Sequence, residues 1–149
     1  MCDDERMDDL IAFLSARLDE DEAAARAVKD NSAPWDGQWQ PRERNALETR
    51  NGWVLAVSIP IGSDFAPGVV EHIARHDPAR ALREVAAGRA ILDRHMPHET
   101  AFDGLACNWC SEDVDDRPQI AKERWPCPDV RSLAAVWDGH PDYRSEWKP

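Results

Sequence analysis

The chain has 149 residues, room for a single modest core, and its 42% hydrophobic and 32% charged content is that of a folded soluble protein rather than a disordered one. Its 18 basic against 29 acidic residues leave a net charge of -11. That balance argues against nucleic-acid binding through the phosphate backbone, which needs clustered Lys and Arg, and suits a basic partner surface or simple solubility.

The opening Met1-Cys2-Asp3-Asp4-Glu5 is acidic where a signal peptide needs positive charge and an apolar run. No apolar run is long enough to span a bilayer, so a cytoplasmic protein without a membrane partner is expected. Cys2 reads as an ordinary free thiol. Asp8 and Asp9 place acidic residues at the positive end of a first helix over 8–29, with Leu10, Ile11, Phe13, Leu14 and Leu18 on its apolar face and Ala25 and Val28 continuing it. The acidic block at 19–22 reads as a solvated face.

From 31 to 51 the periodicity breaks at Pro34, Gly37 and Pro41, and Trp35 and Trp39 read as a local hydrophobic plug. Asn51-Gly52 signals a tight turn. The apolar run 53–59 then predicts a buried strand ended by Pro60 and Gly62. Its partner is expected in the Trp35 to Gln40 region, giving a small antiparallel sheet across 34–60.

A helix pair follows over 67–95. Pro67 starts a short helix carrying Val69, Val70, Ile73 and Ala74, and Asp77-Pro78 restarts the chain as N-cap and first helical residue. Ala81, Leu82, Val85 and Leu92 form the inward stripe of the second helix. Gly88 on that stripe permits close approach by a neighbour, His95 extends it, and Pro97 stops it. His72 and His76 share one helix face at a metal-compatible spacing, but no third ligand lies nearby in sequence, so surface or capping roles are expected.

The most informative stretch is 107–137. Cys107-Asn108-Trp109-Cys110 can turn two thiolates onto one ion, and Cys127, in Trp125-Pro126-Cys127-Pro128, stands at the entrance of a last helix that buries Val130, Leu133, Ala134 and Trp137 and closes at Gly139. Together these predict a structural zinc held by Cys107, Cys110, Cys127 and one histidine. His140 lies beyond a helix of ten or so residues, roughly 15 Å long at 1.5 Å per residue, too far to share the ion. His95, inward at the end of the preceding helix, is the expected fourth ligand, with His98 the alternative. A redox Cys-x-x-Cys is disfavoured because no thioredoxin-like setting surrounds it. The tail holding Tyr143 and Trp147 is expected to pack back onto the body. The fold class is therefore α+β: one domain over 1–149 with about four helices, a small antiparallel sheet and a zinc-knuckle loop stapling the C-terminal half.

The blocks Asp8-Asp9-Leu10-Ile11-Ala12-Phe13-Leu14, His72-Ile73-Ala74-Arg75-His76-Asp77-Pro78-Ala79-Arg80, Trp125-Pro126-Cys127-Pro128 and His140-Pro141-Asp142-Tyr143 resemble a family of short uncharacterised proteins, a domain of unknown function found in actinobacteria and their phages and prophages. The resemblance covers most of the chain, with Trp35 to Ala66 the most divergent part. The His-Ile-Ala-x-x-Asp-Pro block is similar to a motif in small early accessory proteins of tailed phages. What this implies is a phage or prophage context, hence a host cytoplasm, and it carries no catalytic residues across. The expected function is that of a zinc-stapled acidic accessory protein, not an enzyme, acting on a host protein. Neither the partner's identity nor the oligomeric state is legible in the sequence. The alternatives are a nucleic-acid-directed zinc protein, for which Arg75, Arg80, Arg83, Arg89 and Arg94 supply local positive charge, or a nucleic-acid mimic. A metal-dependent enzyme built on Glu71, His72, His76 and Asp77 ranks lower.

Overall fold

A computed structural model of the protein describes residues 3–30, 37–42, 46–55, 68–100, 104–110 and 124–149. Cys2, Trp35, Pro60, Gly62, Pro67 and the 56–59 part of the expected strand lie outside them. Among the described residues there are four α-helices and five short strands, an α+β architecture. In order they are α1 (Asp3–Asp30), β1 (Trp39–Pro41), β2 (Leu47–Thr49), β3 (Val54–Leu55), α2 (Val69–Arg75), α3 (Pro78–Arg94), β4 (Pro97–Thr100), β5 (Gly104–Cys107) and α4 (Pro128–Ala134). The chain divides into two compact units, one of Met1–Leu18 with Ala87–Pro149 and one of Asp19–Ala86.

The Asp19–Ala86 unit contains a three-stranded antiparallel sheet in the order β1-β2-β3. The central strand, β2, is absent from the sequence expectation, which paired the strand after Asn51-Gly52 directly with the Trp39 region. Its three residues alternate in burial, with Leu47 at 3% and Thr49 at 0% exposure on either side of a half-buried Glu48. Leu47 packs with Val70 and Ala74 of α2, and Trp39 and Ile73 close over them. Trp39 thus has the plug role expected of it. Trp53, expected in a buried strand, is instead 56% exposed, because it sits at the hairpin tip before pairing resumes.

That tip does form at Asn51-Gly52. The Gly52 N–H donates to the Thr49 carbonyl at 2.9 Å and the Thr49 N–H to the Trp53 carbonyl at 2.8 Å. Gly52 takes a φ of +86°, the left-handed conformation that a three-residue hairpin loop demands and that glycine adopts without a Cβ penalty. The Thr49 hydroxyl accepts the Trp53 N–H at 3.1 Å, so this fully buried side chain keeps a partner.

Asp77 caps α3 as its sequence position predicts: Oδ1 accepts the Arg80 N–H at 2.6 Å. Oδ2 also accepts the Trp39 N–H at 3.3 Å, tying the start of α3 to β1. Asp77→Ala removes both acceptors and is expected to cost about 1–2 kcal/mol. A lowered denaturant midpoint at unchanged slope would register that loss.

The other unit is built around an apolar cluster. Leu10, Phe13 and Leu14 from α1 meet Leu92 from α3, Val130 and Ala134 from α4, Trp125 from the segment before α4, and Trp147 from a short 3-10 turn over Ser145–Trp147. Gly88 permits the close approach its place on the stripe suggested, since a Cβ there would stand 2.9 Å from Leu18 Cδ2. The tail packs back as expected. Trp147 is 4% exposed, its ring 5.0 Å from that of Phe13, while Arg144 pairs with Asp9 at 2.7 Å. A second sheet, the hairpin β4-β5, was not foreseen. Pro97, read as the end of a helix and the start of a loop, opens β4.

Candidate metal centre

The hairpin explains how residues 95 and 107 meet. α3 ends in bifurcated hydrogen bonds from the His95 N–H to the Ile91 and Leu92 carbonyls, which carry the His95 side chain inward from the Leu92 stripe. The chain leaves as β4, turns, and returns as β5 with Cys107 paired opposite Pro97. The Asn108 N–H donates to the Met96 carbonyl at 2.9 Å and prolongs the pairing. Cys107 is therefore the last residue of a strand rather than part of a free loop.

The next turn supplies Cys110, whose backbone N–H points at Cys107 Sγ from 3.5 Å. A third segment runs along β5 on its other side. Arg124 bridges Ala106, the Trp125 N–H donates to the Leu105 carbonyl at 3.0 Å, and the Trp125 indole N–H donates to the His95 carbonyl at 2.9 Å. Two residues later Cys127 occupies the N-cap of α4, with Pro128 in the first helical position.

His95, Cys107, Cys110 and Cys127 come together so that their ligand atoms all lie within 4.8 Å of one another. His95 Nδ1 stands 3.4 Å from Cys107 Sγ and 3.5 Å from each of Cys110 Sγ and Cys127 Sγ. A ring nitrogen carries either one proton or one lone pair, so it cannot hydrogen-bond to three sulfurs at once. Three nearly equal distances from one nitrogen need another cause. A tetrahedral ion with bonds of about 2.3 Å to sulfur and about 2.0–2.1 Å to nitrogen sets S···N edges of about 3.5–3.6 Å. The observed spacings match those edges.

Cys107 and Cys127 are 0% exposed and His95 5%, whereas Cys110 is exposed. Desolvation, then the neighbouring Cys107 and Cys127 sulfurs, push the Cys110 thiol up to about 12. Cys127 is also raised, chiefly by burial, although the Val130 amide facing its sulfur pulls the other way. Cys110 and Cys127 thus resist ionising until a cation stands beside their sulfurs. On the far side of the imidazole, Asp129 Oδ2 lies 3.7 Å from His95 Nε2, where a carboxylate favours the tautomer that leaves Nδ1 free to ligate. Asp129 was overlooked in the sequence. Its signal was an acidic residue two positions after a candidate ligand, in the first turn of a helix.

The remaining histidines lie elsewhere. His98 pairs across the hairpin with Ala106, outside the cluster, and its buried Nδ1 has no hydrogen-bond partner among the described residues. His140 packs edge-on against Phe13, touches the Arg17 guanidinium and accepts the Asp142 N–H at 3.1 Å. His72 and His76 stack exposed on α2 with ring centroids 4.5 Å apart, and no further His, Cys or carboxylate among the described residues joins them as a metal group.

No curated protein and no solved structure matches the chain. Residues 7–149 match a family of unknown function, DUF6221, and the chain belongs to that family.

Proposed function

We propose that the protein is a zinc-stapled acidic interaction protein, an accessory factor of phage or prophage origin that acts on a host protein in the host cytoplasm and catalyses no reaction of its own. The observation that carries the reading is the closed ligand set. Three sulfurs and one imidazole complete a tetrahedron, so the ion would hold the fold together and keep no position for water or substrate. The ion would join the end of α3 to the β4-β5 hairpin and α4, of which the two-stranded hairpin and the short α4 are not stable alone.

The interaction role is supported by the net charge of -11 and by Trp109, Met96 and Val136, which are 52%, 37% and 70% exposed. Similarity of the His72 to Pro78 motif to one in tailed-phage accessory proteins supports the setting. No helix among the described residues is long and apolar enough to cross a membrane. Against the enzyme reading, both carboxylate oxygens of Asp77 already accept backbone N–H groups. Affinity capture from host lysate, read by mass spectrometry at several salt concentrations, tests the reading. A specific partner lost on chelation supports it, and recovery of none counts against it.

A nucleic-acid-directed role is the second reading. It is favoured by Trp109, which stands exposed in the knuckle with the Arg94 guanidinium 5.1 Å from its ring centroid, a surface on which a base could stack. A gel shift at low salt without retardation disposes of it.

The ligand thiols also set a pH signature. Folded metal-free protein keeps the Cys110 proton up to about 12, whereas an unperturbed thiol releases it near 9.0. A raised folded value means stability fully present below pH 9.0 and lost as pH climbs toward 12. Denaturant midpoints of chelated protein are expected to fall across that window. Those of zinc-loaded protein, whose thiolates hold no proton there, are expected to show no such fall.

A further inference from the structure

We propose that Cys110 is a modification site: it is the ligand thiolate that hydroperoxides reach first, Cys107 resolves it to a disulfide, and the ion is released. The inference rests on the metal reading above. The three sulfurs are not equivalent. Cys107 and Cys127 are 0% exposed, one at the end of β5 and the other at the N-cap of α4. Cys110 is exposed, in a turn whose Asn108 and Trp109 are exposed as well. A zinc-bound cysteine is a thiolate, the form that attacks peroxides, so accessibility decides which of the three reacts.

The Cys110 sulfur attacks one peroxide oxygen, the O–O bond breaks, Cys110 becomes a sulfenic acid, and the alkoxide leaves to take a proton from water. Cys107 then attacks the Cys110 sulfur, the S–S bond forms, and hydroxide leaves and is protonated. Two thiolates, one hydroperoxide and two protons give one disulfide, one alcohol and one water; sulfur is oxidised and peroxide oxygen reduced. Cys107 is the resolving sulfur because it lies in the same turn and already faces the Cys110 N–H at 3.5 Å. Cys127 is fixed by α4, with the Val130 amide against its sulfur. After the reaction only His95 and Cys127 remain as ligands, too few for a structural zinc. The hairpin would then be released from α4, so that oxidation of an exposed turn becomes a change of fold.

The test treats zinc-loaded full-length protein with hydrogen peroxide, reads zinc release with a chromogenic chelator, and maps disulfides by mass spectrometry of unreduced peptides. Expected is release of the ion together with a Cys107–Cys110 disulfide, the chain about 2 Da lighter, reversed by a dithiol plus zinc. Cys110→His keeps four ligands without the reachable thiolate and is expected to slow release at least about tenfold. Release undiminished in Cys110→His, a Cys107–Cys127 disulfide, or oxidation of Met96 with the zinc retained would each overturn the proposal. Should that variant fail to fold, limiting iodoacetamide on the wild type decides: Cys110 labelled ahead of Cys107 and Cys127 supports it, and equal labelling overturns it. Protein that holds zinc yet resists peroxide refutes this inference alone. Protein purified without zinc refutes the metal reading, and this inference with it.

Discussion

Cys127→Ser is expected to destabilise the unit that carries the metal cluster by more than about 4–5 kcal/mol. One residue there has three tasks. It offers a ligand sulfur 3.5 Å from His95 Nδ1, its backbone takes the N-cap position of α4, and its side chain fills core space at 0% exposure beside Val130 and Ala134. Serine is close to cysteine in volume and caps a helix well, so lost packing and capping together would cost only about 1–2 kcal/mol. A larger loss therefore reports the metal. Denaturant unfolding followed by near-ultraviolet circular dichroism should show the variant melting like chelator-treated wild type, and chelator should do nothing further to it. A variant within about 1 kcal/mol of wild type would assign Cys127 to packing alone.

Trp147→Ala is expected to destabilise the same unit by about 3–5 kcal/mol, although the residue lies two positions from the end of the chain. Its indole is 4% exposed, tilted against Phe13 at 5.0 Å and edge-on to Tyr143 at 5.8 Å. Arg144 stands 5.4 Å from its ring centroid while pairing with Asp9. The tail thus supplies an aromatic layer to the core around Leu10 and Leu14. Equilibrium denaturation with the zinc in place separates this loss from that of the metal. A shift below about 1 kcal/mol would mean that the layer contributes little.

The helices were legible because each carried a stripe of 3.6-residue period and a terminus with its own chemistry. Asp77-Pro78 announced α3, and Cys127-Pro128 announced α4. Gly88 was legible as a close approach because a glycine stands on a stripe otherwise made of larger apolar residues. The start of α1 was placed at Asp8, five residues after its observed start at Asp3, because the acidic residues before it carry no apolar periodicity. The strands were harder. β2 follows a charged stretch and has three residues, too few for alternation to show. β4 reads Pro-His-Glu-Thr, with no apolar member but proline, and its pairing is set by β5 across the hairpin rather than by its own composition. At the metal centre the three cysteines stood out by spacing. The histidine was read as His95 from its place at the inward end of α3, with His98 three residues on as the alternative. The hairpin register separates them, by keeping His98 opposite Ala106 while α3 turns His95 toward the sulfurs.

The central claim is the bound ion, and the most direct measurement is zinc per chain in untagged protein purified without added metal. A ratio close to one is expected, abolished in Cys127→Ser, with the buried Cys107 and Cys127 protected from alkylating reagents until a chelator is added. A ratio near zero, with three thiols that titrate freely in the folded protein, would contradict it.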